Sequence, residues 1–461
     1  MAQLAGAKSR PRGLSPILEL LQTGNRSQYQ RPVTPAKPWS APMNASTISM
    51  SLHRNSQLTG WHSVGAWAIS FSYLLFCISD TLLSLEMDGS QFVKLGAFAL
   101  LSTAILLRPS FHKLIALILP ILLTLYLAMW RTFNINAGGE EFLRFLAPMA
   151  ITVSMFAYRA RLSPVIFMFF AVVLSNDLFQ CYFYVAYALK LPLFLPVKFD
   201  SGLYLRAQGW IGFFSEFSFI NFCAFLLCRH YQPTRWSKRA AWVFLTFALL
   251  GVSFKIFATI AVYFVVQRKL TVRSVIAALS GIGVLLFALM SGLLDSLVRI
   301  AMTKLSFYVV AGNSARAESY RVMFQSLMKG NVFGEGLGSF GGPASVKYHS
   351  PLYSIYHFNW YGLGNTLTTT DTFYPHLFVE LGVLGAVLWL AFMVFYGQVS
   401  RSRRIWLFLV GAFCFDNIFS MSFVSASYVF SALMLMYLFS QNSRSLNRTA
   451  LMVQDRHGAL R

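Results

Sequence analysis

Residues 114–130 read LIALILPILLTLYLAMW, an apolar run without a charged side chain. Its length approaches the roughly 20 residues with which an α-helix crosses a lipid bilayer. The whole chain of 461 residues is 56% hydrophobic and only 12% charged, whereas a typical soluble domain is about 25% charged. This composition excludes an ordinary soluble enzyme and predicts an all-α polytopic membrane protein.

The charged residues are strongly biased towards positive side chains, with 38 Lys and Arg against 16 Asp and Glu and a formal net charge of +22. A nucleic-acid-binding protein is also basic, but long apolar runs would not separate its basic residues. We therefore expect no nucleic-acid partner. All five cysteines lie inside apolar runs, and neither a metal-ligand spacing nor a nucleotide-binding motif is visible. The sequence predicts no metal and no cofactor.

Apolar runs predict about twelve transmembrane helices, all of which follow residue 60. Residues 1–60 are basic and rich in Pro, Ser and Gln, a composition that is typical of a disordered segment. The predicted helices cover residues 63–85, 92–107, 114–130, 142–158, 164–187, 210–228, 240–252, 256–267, 275–297, 373–396, 405–419 and 422–440.

Basic clusters orient these helices, because Lys and Arg concentrate in cytoplasmic loops. Such clusters flank residues 240–267 at both ends, and the same holds for residues 405–440, so each segment must cross the membrane twice. Both chain termini are then cytoplasmic. The predicted division is a cytoplasmic segment 1–60, helices one to nine in 61–297, a long external loop 298–372, helices ten to twelve in 373–440 and a cytoplasmic tail 441–461.

The long external loop holds the most informative stretch, NSARAESYRVMFQSLMKGNVFGEGLGSF at residues 313–340. Residues 314–329 are predicted to form an amphipathic helix with Tyr320, Phe324 and Leu327 on one face. Three glycines follow at alternate positions and permit tight turns that bring the backbone close to its neighbours. These glycines are Gly334, Gly336 and Gly338.

Two arginines of this loop, Arg316 and Arg321, lie on the predicted amphipathic helix. The positive-inside rule disfavours basic residues in external loops, so their presence needs a reason. An anionic ligand at the outer face of the membrane is one explanation. An interfacial helix whose arginines contact lipid phosphates is the alternative.

A second stretch, RAQGWIGFFSEFS at residues 206–218, runs into an apolar helix. Arg206 lies at the membrane edge, and Glu216 lies about two turns inside the apolar run. An ionisable side chain inside a membrane helix is costly, which makes Glu216 a functional candidate. The alternative is a structural ion pair between Glu216 and either Arg206 or Lys255.

A third stretch, TTTDTFYPHLFVELGVLG at residues 368–385, opens another apolar helix. Asp371 lies at its outer mouth, where capping of the helix N-terminus is the simplest role. Glu380 lies deeper in the apolar run. His376 follows a proline at the helix start and is interpreted as structural. The Gly-x-x-Gly pattern near the end permits close helix packing.

Together these stretches resemble the O-antigen polymerase and O-antigen ligase family of bacterial envelope glycosyltransferases. In its long outer loop the family has an Arg, an aromatic residue four positions later and then a Gly-x-Gly, which reads here as Arg316, Tyr320 and Gly334–Gly336. Where ligases of the family place a His-Asn pair eleven residues before a Gly-x-x-Gly, this chain has Asp371. That substitution favours a polymerase over a ligase.

The family's earlier pattern is an Arg-x-x-Gly followed by an acidic or amide residue. In this chain it reads as Arg206, Gly209 and Glu216, with Phe217 where proline is usual. The family also carries a Ser-Arg pair between two short helices. Residues 253–255, Ser-Phe-Lys, resemble a displaced version of that pair.

The resemblance implies a membrane glycosyltransferase at the periplasmic face of the bacterial inner membrane. We expect a polysaccharide polymerase that elongates O-antigen or exopolysaccharide from polyprenyl-diphosphate-linked repeat units. Arg206, Arg316 and Arg321 would bind the diphosphate, since guanidinium groups suit bidentate phosphate binding. Asp371, with Glu216 as the second choice, would act as general base on the acceptor hydroxyl.

The expected partners are the polyprenyl-diphosphate-linked oligosaccharide and membrane lipids, with a chain-length regulator protein as a further candidate. Two alternatives stay open. One is a ligase of the same family. The other is a flippase for lipid-linked oligosaccharides or another twelve-helix transporter, although the two halves of the chain show no internal repeat.

Overall fold

In the computed structural model, the described residues are 45–85, 87, 89–107, 112–159, 161–194, 206–231, 234–267, 302, 314–362, 364, 367–370, 372–396 and 404–440. Every secondary-structure element within these ranges is helical, which confirms the all-α prediction. Two compact units are distinguished, Met1–Asn55 and Ser56–Arg461. Every interaction considered below lies in the second unit.

The α-helices of the described residues are numbered in chain order. They are α1 (Ala45–Ser84), α2 (Ser90–Leu106), α3 (His112–Trp130), α4 (Ile135–Ala157), α5 (Ser163–Leu189), α6 (Phe214–His230), α7 (Arg235–Leu250), α8 (Phe254–Gln267), α9 (Ala315–Met328), α10 (Pro343–Lys347), α11 (Leu352–Ile355), α12 (Phe373–Phe395), α13 (Arg404–Asp416) and α14 (Ala426–Ser440). A short 3₁₀-helix, Ser422–Val424, precedes α14.

Three helices are long and apolar enough to cross a membrane, namely Val64–Ser84 within α1, α5 and α12. Shorter apolar helices cover Ser90–Leu106, Ile118–Trp130, Phe254–Val266 and Ala426–Phe439. These lengths and compositions support a membrane protein. Eleven of the twelve predicted segments overlap a helix. The remaining one, residues 275–297, lies outside the described residues.

Two helices begin earlier than their apolar runs predict. Helix α1 begins at Ala45, so the last part of the segment predicted to be disordered is helical, while residues 1–44 lie outside the described residues. Helix α4 begins at Ile135 because Asn134 caps it: the side-chain oxygen accepts hydrogen bonds from the amides of Asn136 and Ala137 at 2.9 and 3.3 Å. The polar first turns of α4 hid this start from a search for apolar runs.

The predicted breaks inside residues 240–267 and 405–440 are confirmed. Helix α7 ends at Leu250 and α8 begins at Phe254. At the break, Val252 adopts a positive φ of 45°. Gly251 lies so close to α6 that a Cβ atom would overlap the Ser218 hydroxyl. The second segment is divided between α13 and α14.

Helix α6 lies at the centre of the helix packing. Its residues are buried on every side from Glu216 to Cys228, and it packs against α5, α7, α8 and α14. A helix that is buried on all faces has no polar side to expose, so its few polar residues must find partners inside the protein. The second group of contacts joins α12 to α3, α4 and α9.

Helix α9 confirms the predicted helix at residues 314–329, and the face with the large apolar residues is not its most buried face. Phe324 is 54% exposed, and Tyr320 and Leu327 are only partly buried. Three of the six residues in the buried stripe are small, which helps α9 to approach α12 closely. Its members are Ala315, Glu318, Ser319, Val322, Met323 and Ser326.

Candidate functional site

Helix α12 is broken at Gly382, where φ is 68° and ψ is −180°. A break in a helix leaves main-chain groups without partners inside the helix, and residues 331–336 supply those partners here. The hydrogen bonds run from Glu335 N to Val379 O (2.8 Å), Gly336 N to Glu380 O (3.3 Å), Val383 N to Asn331 O (3.2 Å) and Leu384 N to Val332 O (3.1 Å). Residues 331–336, together with the following glycine at 338, are called the glycine segment below. Their main-chain groups complete the broken helix.

The same glycine segment also contacts the turn between α3 and α4. Gly334, Gly336 and Gly338 have φ angles of 90°, 114° and 73°, which confirms the predicted tight turns. Arg131 donates from Nη1 to the carbonyl of Gly334 at 2.6 Å. The Leu337 amide donates to the carbonyl of Ala128 at 2.9 Å. One segment of irregular backbone thus joins α12 to the end of α3 and the turn that follows it, which are distant from α12 in the sequence.

A buried group of four charged side chains lies beside this junction, and we call it the histidine cluster. It consists of Glu141 and Arg144 of α4 with His376 and Glu380 of α12. The Nε2 and Nδ1 atoms of His376 lie 3.4 Å from Glu141 Oε2 and 3.5 Å from Glu380 Oε1. Arg144 donates from Nη1 to Glu141 Oε1. With His376 protonated, the four side chains carry no net charge.

The main-chain groups of Phe340, which follows the glycine segment, fix the orientation of the histidine cluster. The carbonyl of Phe340 lies 2.7 Å from Nδ1 of His376, and the Phe340 amide donates to Glu380 Oε1 at 3.0 Å. The imidazole ring stacks on Phe145 with a centroid distance of 5.2 Å. The sequence interpretation of His376 as structural agrees with these contacts, which connect the loop to two helices.

The histidine cluster could hold a metal ion, because Glu141, His376 and Glu380 each offer one ligand atom and these atoms lie within 4.8 Å of one another. One carboxylate oxygen on each glutamate has no hydrogen-bond partner among the described residues. A small aromatic cavity adjoins the imidazole. Its lining consists of Arg144, Phe145, Pro148, Phe373, His376, Trp389 and Phe423.

A second buried group, which we call the lysine cluster, lies at the break between α7 and α8. It consists of Asp80, Glu216, Lys255 and Asp416. Lys255 Nζ lies 2.9 Å from Asp416 Oδ1. Asp80 Oδ2 accepts hydrogen bonds from the Ser425 hydroxyl at 3.0 Å and from the Ser427 amide at 2.9 Å. Lys255 is thus paired with Asp416, and Glu216 interacts electrostatically with both and with Asp80.

Glu216, a predicted site residue, belongs to the lysine cluster. It interacts electrostatically with Asp80, Lys255 and Asp416. Its side chain is buried, and its Oε2 atom has no hydrogen-bond partner among the described residues. Of the two partners that the sequence suggested for Glu216, the structure brings Lys255 into interaction with it. A buried carboxyl with an open acceptor oxygen can take up a proton.

Arg206 lies at the same helix break. Its Nε and Nη2 atoms donate to the carbonyls of Gly251 and Val252 at 3.1 and 3.0 Å, and its guanidinium lies 4.2 Å from the ring centroid of Phe214. A cation at the C-terminus of α7 complements the negative end of the helix dipole. Arg206 therefore stabilises the turn that presents Lys255.

The two arginines of α9 differ in their surroundings. Arg321 forms a bidentate pair with Glu318 at 2.9 and 2.5 Å and also donates to the carbonyl of Tyr356 at 2.7 Å. These hydrogen bonds hold the pKa of Glu318 below its usual value and raise the pKa of Arg321. Arg316 lies more than one turn earlier on the same helix and is half-buried.

Tyr320 connects α9 to the lysine cluster. Its hydroxyl donates to the carbonyl of Ile418 at 2.8 Å, and Ile418 follows the Asp416 that pairs with Lys255. The structure therefore links the α9 stretch and the 206–218 stretch through a short series of contacts. Asp371, the first choice for general base, lies outside the described residues.

Sequence reasoning missed Glu141, Arg144 and the pairing of Asp416. The signal for Glu141 was weak, because two adjacent glutamates at the polar start of a helix usually face solvent. Asp416 lies inside an apolar run, and no local pattern shows that its partner is Lys255, which is distant in the chain. His376 and Glu380 are four residues apart on one helix, a spacing that does predict contact.

No family model, no curated protein and no solved structure matches this chain.

Proposed function

We propose that this chain is an inner-membrane glycosyltransferase that polymerises a polysaccharide from polyprenyl-diphosphate-linked repeat units at the periplasmic face. The observation that carries the proposal is the convergence of two sequence stretches on one end of the helix packing. Arg206 binds the end of α7, Lys255 begins α8 and pairs with Asp416, and Tyr320 of α9 reaches the turn after Asp416.

The side chains at this end of the helix packing suit a lipid-linked diphosphate. Arg206 and Lys255 supply cationic groups at the helix break, and Arg316 lies four residues from Tyr320 on α9, a spacing that places both on one helix face. Guanidinium groups hold phosphate oxygens and stabilise the charge that develops on a leaving diphosphate. Arg321 is a further candidate for this role, although its guanidinium also donates to Glu318 and Tyr356.

The proposed reaction needs one group that accepts a proton. The acceptor sugar hydroxyl attacks the anomeric carbon of the donor sugar, and the bond from that carbon to the diphosphate oxygen breaks. The bonding electrons leave with the polyprenyl diphosphate, and a carboxylate takes the hydroxyl proton. Asp371 and Glu216 remain our candidates, and the open Oε2 atom of Glu216 supports its candidacy.

Transport of a lipid-linked oligosaccharide is the alternative that one observation favours, since broken helices such as α12 are typical of transporters. In transporters the freed main-chain groups bind the substrate. Here four main-chain hydrogen bonds to residues 331–336 occupy the break. We therefore place the transporter second and the ligase, against which Asp371 argues, third.

The first test replaces Arg316 with Ala in the native host and separates the surface glycans on a gel. We expect long chains to disappear while short, single-repeat products remain. Arg316→Lys should restore them only in part, since an ammonium group lacks the bidentate geometry. The matched control is Arg239→Ala, which removes an exposed arginine from the first turns of α7. A normal ladder at normal abundance in Arg316→Ala would contradict the role of Arg316.

A further inference from the structure

A buried seam of amide side chains lies between α5 and the turn that precedes α6. Asn176 Oδ1 accepts hydrogen bonds from the amides of Trp210 and Ile211 at 2.8 and 3.3 Å. Gln180 Oε1 accepts hydrogen bonds from the amides of Gln208 and Gly209 at 2.9 and 3.0 Å. Because main-chain donors hold both side-chain oxygens, both side-chain NH₂ groups must point elsewhere.

Those NH₂ groups are part of a larger set of buried polar atoms without partners among the described residues. The donors are Asn176 Nδ2, Gln180 Nε2 and Gln208 Nε2, and the acceptors are Gln208 Oε1, Asp177 Oδ2 and Asn221 Oδ1. Asn176, Gln180 and Asn221 are fully buried, Gln208 is 2% exposed and Asp177 is 5% exposed. We call these five residues the amide seam.

Such a concentration of unpaired polar atoms is unusual, because buried polar groups are normally hydrogen-bonded and an unpaired one destabilises the fold. The seam is nevertheless held together by hydrogen bonds of its own, since Asn221 Nδ2 donates to Asp177 Oδ1 at 2.9 Å. The unpaired donors and acceptors are therefore presented by a built framework. A bound ligand with matching groups would satisfy them.

The mixture of donors and acceptors identifies the class of ligand. A phosphate would need donors only, and a lipid tail would need no polar group at all. Each sugar hydroxyl offers one donor and two acceptor sites, which fits side-chain amides and one carboxyl. The seam also lies next to the predicted diphosphate site, since Gln208 is two residues from Arg206 in the same turn.

We propose that the amide seam binds the hydroxyl groups of the sugar that is attached directly to the diphosphate of the lipid-linked substrate. The inference rests on the proposed function for the diphosphate, but it adds a site for the sugar. Arg206 and the seam would then contact adjacent parts of one molecule.

The test compares two probes on the purified, full-length protein in detergent. One probe is undecaprenyl diphosphate, which carries no sugar. The other is the lipid-linked repeat unit extracted from a deletion strain of the native host. Wild-type protein should bind the repeat unit at least about tenfold more tightly than the sugar-free lipid, a gain that a few hydrogen bonds can supply.

The informative variant is Gln208→Met, which keeps the length of the side chain and removes two unpaired polar atoms. We expect an unchanged or higher melting temperature, unchanged binding of undecaprenyl diphosphate and about tenfold weaker binding of the repeat unit. Gln91→Met, at an exposed position in the first turn of α2, is the matched control and should alter neither affinity. If Gln208→Met lowers the melting temperature, Asp177→Asn takes its place, since it keeps the oxygen that accepts from Asn221 and replaces the unpaired Oδ2 acceptor with a donor.

The outcomes separate this inference from the proposed function. If wild-type protein binds both probes equally, or if the seam variant binds the repeat unit as wild type does, the sugar site is overturned while the diphosphate site stands. If wild-type protein binds neither probe, the proposed function itself fails. A seam that only holds ordered water predicts a more stable Gln208→Met variant with unchanged affinity for both probes, and that result also overturns the inference.

Discussion

Gly334 and Gly382 pack backbone against backbone, although they are far apart in the sequence. A Cβ atom on Gly382 would overlap the amide nitrogen of Gly334, and one on Gly334 would overlap the carbonyl oxygen of Glu380. Both glycines have positive φ angles, 90° at Gly334 and 68° at Gly382. At this contact, the segment that follows α9, the helix that carries Arg316, is attached to α12.

Replacing either glycine with alanine should therefore destabilise the protein. The left-handed backbone costs a side chain about 1–2 kcal/mol, and overlap with main-chain atoms adds roughly 1–3 kcal/mol. We expect Gly334→Ala and Gly382→Ala to lower the melting temperature of the purified protein clearly. Gly139→Ala is the control, because nothing lies within 4 Å of the added methyl group. Because Gly139 lies in the interior of α4, Gly139→Ala should stabilise the protein by up to about 1 kcal/mol. Equal melting temperatures for all three variants would refute the close contact between Gly334 and Gly382.

The histidine cluster should behave as one electrostatic unit. Removing one partner of a buried ion pair costs roughly 3–5 kcal/mol, because a charge is left without compensation. We expect His376→Phe to be destabilising by about that amount, even though a phenyl ring can still stack on Phe145. Adding Glu380→Gln removes the uncompensated charge and keeps the oxygen that accepts from the Phe340 amide.

The double variant His376→Phe/Glu380→Gln should thus be more stable than His376→Phe alone. The measurement is the free energy of unfolding of the wild type, both single variants and the double variant, which together form a double-mutant cycle. Additive effects of the two substitutions would mean that the side chains do not interact, and the electrostatic account of the cluster would be wrong.

The pair between Glu318 and Arg321 predicts a pH dependence of stability. Arg321 lowers the pKa of Glu318 in the folded protein, so the ionised carboxylate stabilises the fold at pH values above its unfolded pKa of about 4.3. This stabilisation disappears as the pH falls through the lower, folded-state pKa. Arg321 stays charged throughout, because its pKa is raised.

We expect Glu318→Gln to cost about 1–3 kcal/mol at neutral pH, which is typical for hydrogen bonds to a charged group. The difference in melting temperature from the wild type should shrink as the pH falls below about 4. Glu140→Gln is the control, since Glu140 pairs with the largely exposed Lys347 and surface pairs contribute less than about 1 kcal/mol. A difference for Glu318→Gln that is constant with pH would exclude the ion pair as its cause.

Much of the fold could be predicted from the sequence, because apolar runs determine where helices form in a membrane protein. The helix at residues 314–329 and the breaks after Leu250 and Asp416 were also predictable, from the amphipathic pattern and from the positions of basic clusters. Which face of α9 is buried could not be predicted from the sequence. The sequence pattern places large apolar residues such as Phe324 on one face of the helix. The side chains that are buried where α9 packs against α12 include small ones such as Ser319.

The candidate site was less predictable, because its contacts join residues that are distant in the chain. Gly382 was interpreted as a site of close helix packing, and no local pattern reveals that α12 breaks there or that residues 331–336 complete it. Likewise, Glu141 meets His376 only because α4 and α12 pack together. For Glu216 the sequence suggested either Arg206 or Lys255 as an ionic partner, and only the packing of α6 against α8 distinguishes the two.

Reconstitution in liposomes is the decisive experiment on whether this chain elongates a lipid-linked glycan. Purified protein is placed in liposomes with the lipid-linked single repeat unit from a deletion strain, and the product lengths are measured by mass spectrometry. Polymerase activity should give a ladder of longer glycans together with released polyprenyl diphosphate, and both products should be lost with Arg316→Ala. Single repeat units that remain unextended, whether or not they cross the bilayer, would contradict it.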